Sequence, residues 1–268
     1  MRPTWQGNLK LALVLVPVKA YPAARVRTVS MNQLHEECGS RVRYQKMCPV
    51  CDRVLERKEI VRGYQHSKDQ YVLIDAGDLK KLRLPSLRTL DIVQFVDETE
   101  IDPLHYHGSY YLAPGGPVAT GPFHTLLRAM RMAKRVAIAQ VALGGKEKIV
   151  AIRPGDGVLV MSFLHYADEV RQISEIDDLP EETEADSAES AMASRLLEHY
   201  TKPLDLAAFE DKYRRGLLEI IEAKSRGQEV VTPPQVEPRR VINLVDALKS
   251  SLARIEAESA AEPSRKTG

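Results

Sequence analysis

The chain has 268 residues but only three cysteines, one tryptophan and four phenylalanines. Three thiols cannot all pair, which argues against a disulfide framework. No apolar run reaches the roughly 18 residues that a membrane-spanning helix needs. Residues 11 to 18 (LALVLVPV) are too short and contain Pro17. With no signal peptide to read, the expected compartment is the reducing cytoplasm, with no membrane partner. A Walker loop, a GxGxxG turn, an HExxH helix and a GxSxG elbow are all missing. Their absence removes the common phosphate-cradling, metalloprotease and serine-hydrolase readings. No Ser/His/Asp set assembles from order alone. His105 and His107 alternate with no carboxylate at a telling spacing, and read as surface or core histidines. Asp97, Glu98, Glu100 and Asp102 sit beside a turn and need no catalytic role. What is left has the look of a binding protein rather than an enzyme.

Charge is scarce only in the sum. The formal net charge is +1, yet residues 1 to 167 carry +9 and residues 168 to 268 carry −8. A basic body with an acidic tail suits a protein that meets a polyanion with one half only, against the alternative of a chance distribution. At 44% hydrophobic, the chain can bury one sizeable core or two small ones.

The expected fold is mainly β with flanking helices, an α+β class built on an antiparallel β-barrel. Residues 8 to 16 read as a buried strand closed by Pro17, and residues 26 to 34 as a second. Residues 41 to 46 alternate Arg41, Arg43 and Gln45 with Val42, Tyr44 and Lys46, a strand with one basic face. Residues 60 to 66 and 70 to 75 form a hairpin turned by Ser67, Lys68 and Asp69. A short helix covers 77 to 83, ended by Pro85. A strand follows at 89 to 96, and an edge strand at 109 to 112. Residues 122 to 134 read as a helix with Pro122 in its first turn. Its Arg128, Arg131, Lys134 and Arg135 read as a solvated face. Residues 135 to 143, 146 to 153 and 157 to 164 are joined by Gly144-Gly145 and Pro154-Gly155-Asp156, an antiparallel meander.

Residues 25 to 64 hold nine basic side chains, five acidic ones and all three cysteines. The pattern His35-x2-Cys38-x9-Cys48-x2-Cys51 offers two ligand pairs of the kind that structural zinc takes. Pro49 fixes the turn of the second pair. Zn2+ would be structural here, because four protein ligands leave no open position for substrate. A redox CxxC and three plain thiols beside an unrelated histidine are the alternatives. Doubled back, an excursion of about 25 residues reaches on the order of 40 Å, long enough to arch over a duplex.

Beyond residue 170 the expected order is an acidic linker (171 to 186), a helical region (187 to 227) and a tail (228 to 268). Helices are expected at 187 to 200, at 205 to 226 and, past a proline-rich spacer, at 241 to 255. The last carries Val241, Leu244, Val245, Leu248, Leu252 and Ile255 on one stripe. Such a stripe either docks a partner or packs on its own chain.

The order of these pieces resembles the bacterial Ku proteins. The opening carries Trp5, Gly7, Leu9, Leu13, Val14, Val16, Pro17, Val18, Lys19 and Tyr21 in the family's spacing. Further matches are Gln33-Leu34-His35, Ile60-Val61-Arg62-Gly63-Tyr64, Ile92 to Val96, Ile101-Asp102-Pro103, Tyr110-Tyr111-Leu112, Arg135 to Ala139 and Arg153 to Leu159. The likeness runs from residue 1 to about residue 226. It implies a homodimeric ring on a β-barrel, with an arm at 25 to 64 that encircles duplex DNA ends. It implies protection of those ends in non-homologous end joining, recruitment of DNA ligase D, and residence on the nucleoid within the cytoplasm. The carboxy-terminal helix resembles the ligase-contacting end. For the DNA contacts we single out Lys19, Arg25, Arg27, Arg41, Arg43 and Lys46, then Lys146 and Lys148, against merely solvated charge. A zinc-dependent nuclease or hydrolase and a protein-binding adaptor are the competing functions.

Overall fold

The structure is a computed structural model that describes residues 1–82, 88–143, 145–180, 186–228 and 244–261. The chain divides into two compact units, Met1–Arg27 with Met31–Glu175, and Thr28–Ser30 with Ile176–Gly268. The first unit holds, in chain order, β1 (Trp5–Leu11), β2 (Val14–Pro22), β3 (Met47–Cys48), β4 (Arg53–Val54), β5 (Arg62–Ser67) and β6 (Gln70–Ile74). After these come α1 (Ala76–Lys81), β7 (Thr89–Val96), β8 (Tyr106–Pro114), α2 (Pro117–Ala133), β9 (Val136–Leu143), β10 (Lys146–Pro154) and β11 (Leu159–Leu164).

Seven of these strands close into a barrel in the order β1-β2-β8-β11-β10-β9-β7. Neighbours are antiparallel except at the closing seam. There β1 runs parallel to β7 through Asn8↔Thr89, Leu9↔Leu90 and Lys10↔Asp91. The barrel is therefore mixed, not antiparallel as expected. The β1–β2 hairpin reverses the chain once, and the long excursion after β2 returns it to the open edge of β1 in the original direction. A Lys10 Nζ to Asp91 Oδ2 bond of 2.8 Å marks the seam. Being half exposed, it contributes no more than about 1 kcal/mol.

Strand alternation puts one residue in two into the barrel. Leu9, Val18, Leu90, Leu112, Val141, Val150, Ile152 and Leu159 are all fully buried there. Each side chain of this kind contributes roughly 1.5–3 kcal/mol by leaving water. α2 closes one end, packing on β2, β8 and β10. Its inward row is Ala119, Phe123, Leu127 and Met130, the four-and-three spacing of a helix face. Gly7 is required by close packing, because a Cβ there would stand 2.4 Å from the Trp5 ring and 2.3 Å from the Arg88 carbonyl.

Several local expectations change. The apolar run at 8 to 16 is a hairpin, not one strand. Its turn at Ala12-Leu13 has Ala12 at φ 52°, and Pro17 lies inside β2. Residues 26 to 34 and 41 to 46 are not strands; the isolated bridge Leu34↔Arg41 and the Tyr44 hydroxyl donating to Gln33 join them. Their alternation is mostly polar and lacks a neighbouring strand to bury it. β8 is no edge strand, since β2 and β11 pair it on both sides. α2 begins at Pro117, so Pro122 lies in its interior. Pro85 lies outside the described residues.

The second unit carries α3 (Ser187–Tyr200), α4 (Lys212–Ser225) and α5 (Leu244–Ala261). Asp186 caps α3 by accepting the Ala188 amide at 2.7 Å, and Asp211 caps α4. The helix expected over 205 to 226 splits, because Asp205 and Asp211 each cap a separate turn. The first is a single 3₁₀ turn at Leu206–Ala208. α5 packs against α3.

Candidate nucleic-acid interface

Between β2 and β7 the chain leaves the barrel. Residues 24 to 74 contribute nothing to the buried core and are almost wholly exposed. The local order comes from short-range chemistry. β3 and β4 pair through Met47↔Val54 and Cys48↔Arg53. Arg53 donates to Glu59 at 2.7 Å, which holds the Glu59 carboxyl below its usual range. β5 and β6 form the expected hairpin, with Asp69 left-handed at φ 61° in its turn. Asp75 accepts the Asp78 amide at 2.8 Å and so starts α1.

The singled-out cations fall in three places. Arg25, Arg27, Arg41, Arg43 and Lys46 are exposed on the excursion. Lys19 is half-buried on the outer face of β2, opposite Gln6 and Ala113. Lys146 and Lys148 begin β10, opposite Leu143 and Val141. They share the strand face that becomes core at Val150, and Lys148 lies close enough to Glu169 and His107 to shift both. None of the eight is in an ion pair among the described residues, whereas Lys10, Arg53, Lys58, Lys81, Arg135, Arg215 and Arg226 are. A cation left without an acid partner keeps its donors for an external anion.

His35 and Cys38 form one local pair, with Nδ1 3.1 Å from Sγ. The Ser40 hydroxyl, 2.9 Å from the same sulfur, is the main cause that lowers the Cys38 thiol to about 7; the Ser40 amide and His35 add to it. Cys48 and Cys51 form the other pair. The Cys51 backbone amide lowers the Cys48 thiol, while the Cys51 thiol, hydrogen-bonded to Cys48, is raised. All three cysteines are free. Three thiols and an imidazole fit structural zinc chemically, and each pair is assembled. Among the described residues, however, no three such side chains converge.

One cluster went unread in the sequence. His107 stacks on His165 at 4.1 Å and Phe163 at 5.7 Å. His165 Nδ1 lies 3.4 Å from Glu169 Oε2. Burial first, then His165 and Lys148, lower the His107 pKa. The His-x-His alternation was visible, but only the β8–β11 pairing brings His107 opposite Phe163 and beside His165.

Of the expected docking stripe, Leu248 and Ile255 are buried, and Val245 and Leu252 are half-buried. Leu244 opens α5, and Val241 lies outside the described residues. No helix among the described residues is long and apolar enough to cross a membrane.

Fold and site together define a closed-barrel protein that carries an exposed cationic excursion between its second strand and the strand that seals it. Residues 10–192 match the family model for the Ku70/Ku80 beta-barrel domain. The non-homologous end joining protein Ku of Symbiobacterium thermophilum is 40% identical over 97% of this chain and 65% of its own length. Its namesake in Archaeoglobus fulgidus is 38% identical over 96% of this chain and 100% of its own. The Bacillus subtilis protein of that name is 32% identical over 95% and 82%. The chain belongs to the Ku family.

Proposed function

We propose that the chain binds double-stranded DNA ends regardless of sequence, as a ring-shaped homodimer. In this role it protects ends during non-homologous end joining of double-strand breaks and recruits DNA ligase D. The observation that carries the reading is the set of eight cations without an ion-pair partner among the described residues. A ring that threads onto any end has to ignore sequence, so it touches phosphate and sugar rather than base edges. Lysine and arginine on an arm at 25 to 64 supply such contacts without catalysis. Two exposed apolar surfaces favour the dimer. Tyr64 with Val72 on one face of the β5–β6 hairpin, and Tyr71 with Leu73 on the other, stand out, and Leu218, Ile220 and Ile221 are exposed on α4. Apolar surface of this kind marks a protein interface.

A structural Zn2+ belongs to the same reading. His35, Cys38, Cys48 and Cys51 would hold it, and it would tie two exposed pairs that have no core of their own. In this reading the helix stripe Val241, Leu244, Val245, Leu248 and Leu252 meets the ligase by releasing α5 from α3, on which it packs with Leu248 buried.

The test is a competition. Labelled linear duplex is loaded with protein, then challenged with equal masses of unlabelled linear or covalently closed circular DNA. Preferential competition by linear DNA is expected. Equal competition would mean binding to the duplex flank, and both the ring and the end-joining role would fall.

A further inference from the structure

From Pro103 to Lys146 the chain has no acidic residue, a run of 44 positions. At the chain's own frequency of 37 in 268, about six would fall there. α2 lies in the middle of this run. Beside its buried row stand the exposed His124, Arg128 and Arg131 at spacings of four and three, followed by Lys134 in the left-handed cap at φ 53°. The ridge is about 15 Å long at 1.5 Å per residue. The helix dipole alone favours cations in the last turn, which accounts for Arg131 and Lys134. It does not account for Arg128 or His124 farther back.

Arg128 makes no ion pair among the described residues and stands between two hollows. One, of about 330 Å³, is shared with His124, Leu127, Arg131, Asp156 and Gly157. The other, of about 400 Å³, is shared with His124, Thr125, Ala129 and Met132. Arg131 donates to the Gly155 carbonyl at 2.5 Å, which fixes the turn that walls the first hollow. His124 Nδ1 bonds the Thr120 carbonyl at 2.9 Å, leaving Nε2 for a ligand. Among the described residues Asp156 is the only acid that lines either hollow, and it shares the first with Arg128 and Arg131.

We propose that the outer ridge of α2 is a second phosphate-contacting surface, separate from residues 25 to 64, that takes the sugar-phosphate backbone of duplex DNA. Guanidinium groups suit phosphate oxygens through paired, charge-assisted bonds. β10 has Lys146 at one end and Pro154, beside the ridge, at the other. Its length, roughly 27 Å at about 3.3 Å per residue, is less than one duplex turn of about 34 Å. One duplex turn is therefore long enough to reach from the ridge to Lys146. The inference rests on the DNA-binding reading and adds a contact surface to it.

The test is the salt dependence of duplex binding by the full chain carrying Arg128→Gln and Lys134→Gln. Neither side chain makes a hydrogen bond or ion pair among the described residues, and a thermal melt checks folding. Each lost phosphate contact flattens the plot of log affinity against log salt by about 0.9. The pair should therefore flatten it by about 1.8 for each ridge on the duplex. Lys212→Gln with Arg214→Gln removes equal charge from α4 and should leave the slope in place. An unchanged slope in the α2 variant, or an equal change in the α4 variant, overturns the ridge. It leaves the DNA reading standing if Arg41→Gln with Arg43→Gln still flattens the plot. Loss of inorganic pyrophosphate binding with an intact duplex slope assigns the ridge to a free phosphate compound and overturns the duplex contact. A wild-type protein with no salt-dependent duplex binding overturns both readings.

Discussion

Replacing Arg41 and Arg43 with glutamine isolates the electrostatic part of DNA binding. Both side chains are exposed and without an ion-pair partner among the described residues. The nearby order is made by backbone, through the Leu34↔Arg41 bridge and the Val42 amide on the Gln33 carbonyl at 3.0 Å. Folding stability should therefore stay within about 0.5 kcal/mol of wild type. If a dimer neutralises about eight phosphates, log affinity falls with log salt at a slope of about −7. Two arginines from each of two protomers are four of those contacts, so the variant's slope should be about −3.6. Between 50 and 200 mM salt the wild type then loses roughly 20,000-fold in affinity and the variant roughly 150-fold. Fluorescence anisotropy on a labelled linear duplex across that range measures both slopes. A variant that binds more weakly at every salt concentration, with its slope still near −7, would refute the reasoning. The two arginines would then act through the shape of the excursion and not through phosphate.

Other consequences can be measured independently. Phe123→Ala empties the fully buried centre of the α2–barrel contact and should lower unfolding free energy by about 3–5 kcal/mol in urea titrations; a loss under about 1 kcal/mol would show that α2 is not integral to the core. Cobalt added to metal-free protein should give thiolate-to-cobalt absorption that Cys48→Ser lowers by one thiolate's share while the barrel melts as before. Absorption of unchanged intensity in the variant removes Cys48 from the ligand set. The folded His107 pKa lies below its ordinary value, with burial the leading cause, whereas the unfolded chain takes the proton near pH 6.5. Its contribution to stability is thus complete above about pH 6.5 and is lost as pH falls from there through the folded value. His107→Phe keeps a ring against Phe163 and should flatten that acid-side loss in urea melts at pH 8 and 5.5. An identical fall in both proteins would place the sensitivity elsewhere.

How far the sequence could be read depended on whether a signal was local. The β9–β10–β11 meander was visible because glycine and proline mark its turns and apolar alternation marks its faces. The β1–β2 hairpin was hidden because Ala12 and Leu13 are not turn residues, so the apolar run continues across the reversal. Nothing local in Tyr106–Pro114 shows that two strands flank it, and nothing in β1 announces a parallel partner 81 residues away at Lys10 and Asp91. The cations of residues 25 to 64 were legible as composition. That Arg25, Arg27, Arg41, Arg43 and Lys46 have no ion-pair partner among the described residues, while Arg53 and Lys58 do, is a three-dimensional fact, as is the gathering of His107, His165 and Lys148. The split of the 205 to 226 helix was written in Asp205 and Asp211, two capping residues in a span taken as continuous.

The parallel seam also sets the order in which the chain can fold. β1 and β2 emerge early in synthesis, but the outer edge of β1 has no partner until β7 has been made. At 5–20 residues per second the intervening stretch takes roughly 4 to 16 s. For that interval a hydrophobic strand edge stands open on the nascent protein, a template for wrong pairing. Once β7 arrives, the closure entropy depends only weakly on how much chain lies between, about 0.6 kcal/mol for each doubling. Lengthening the excursion therefore taxes the finished barrel very little. What it prolongs is the wait, so the length of the excursion is limited by folding time more than by stability.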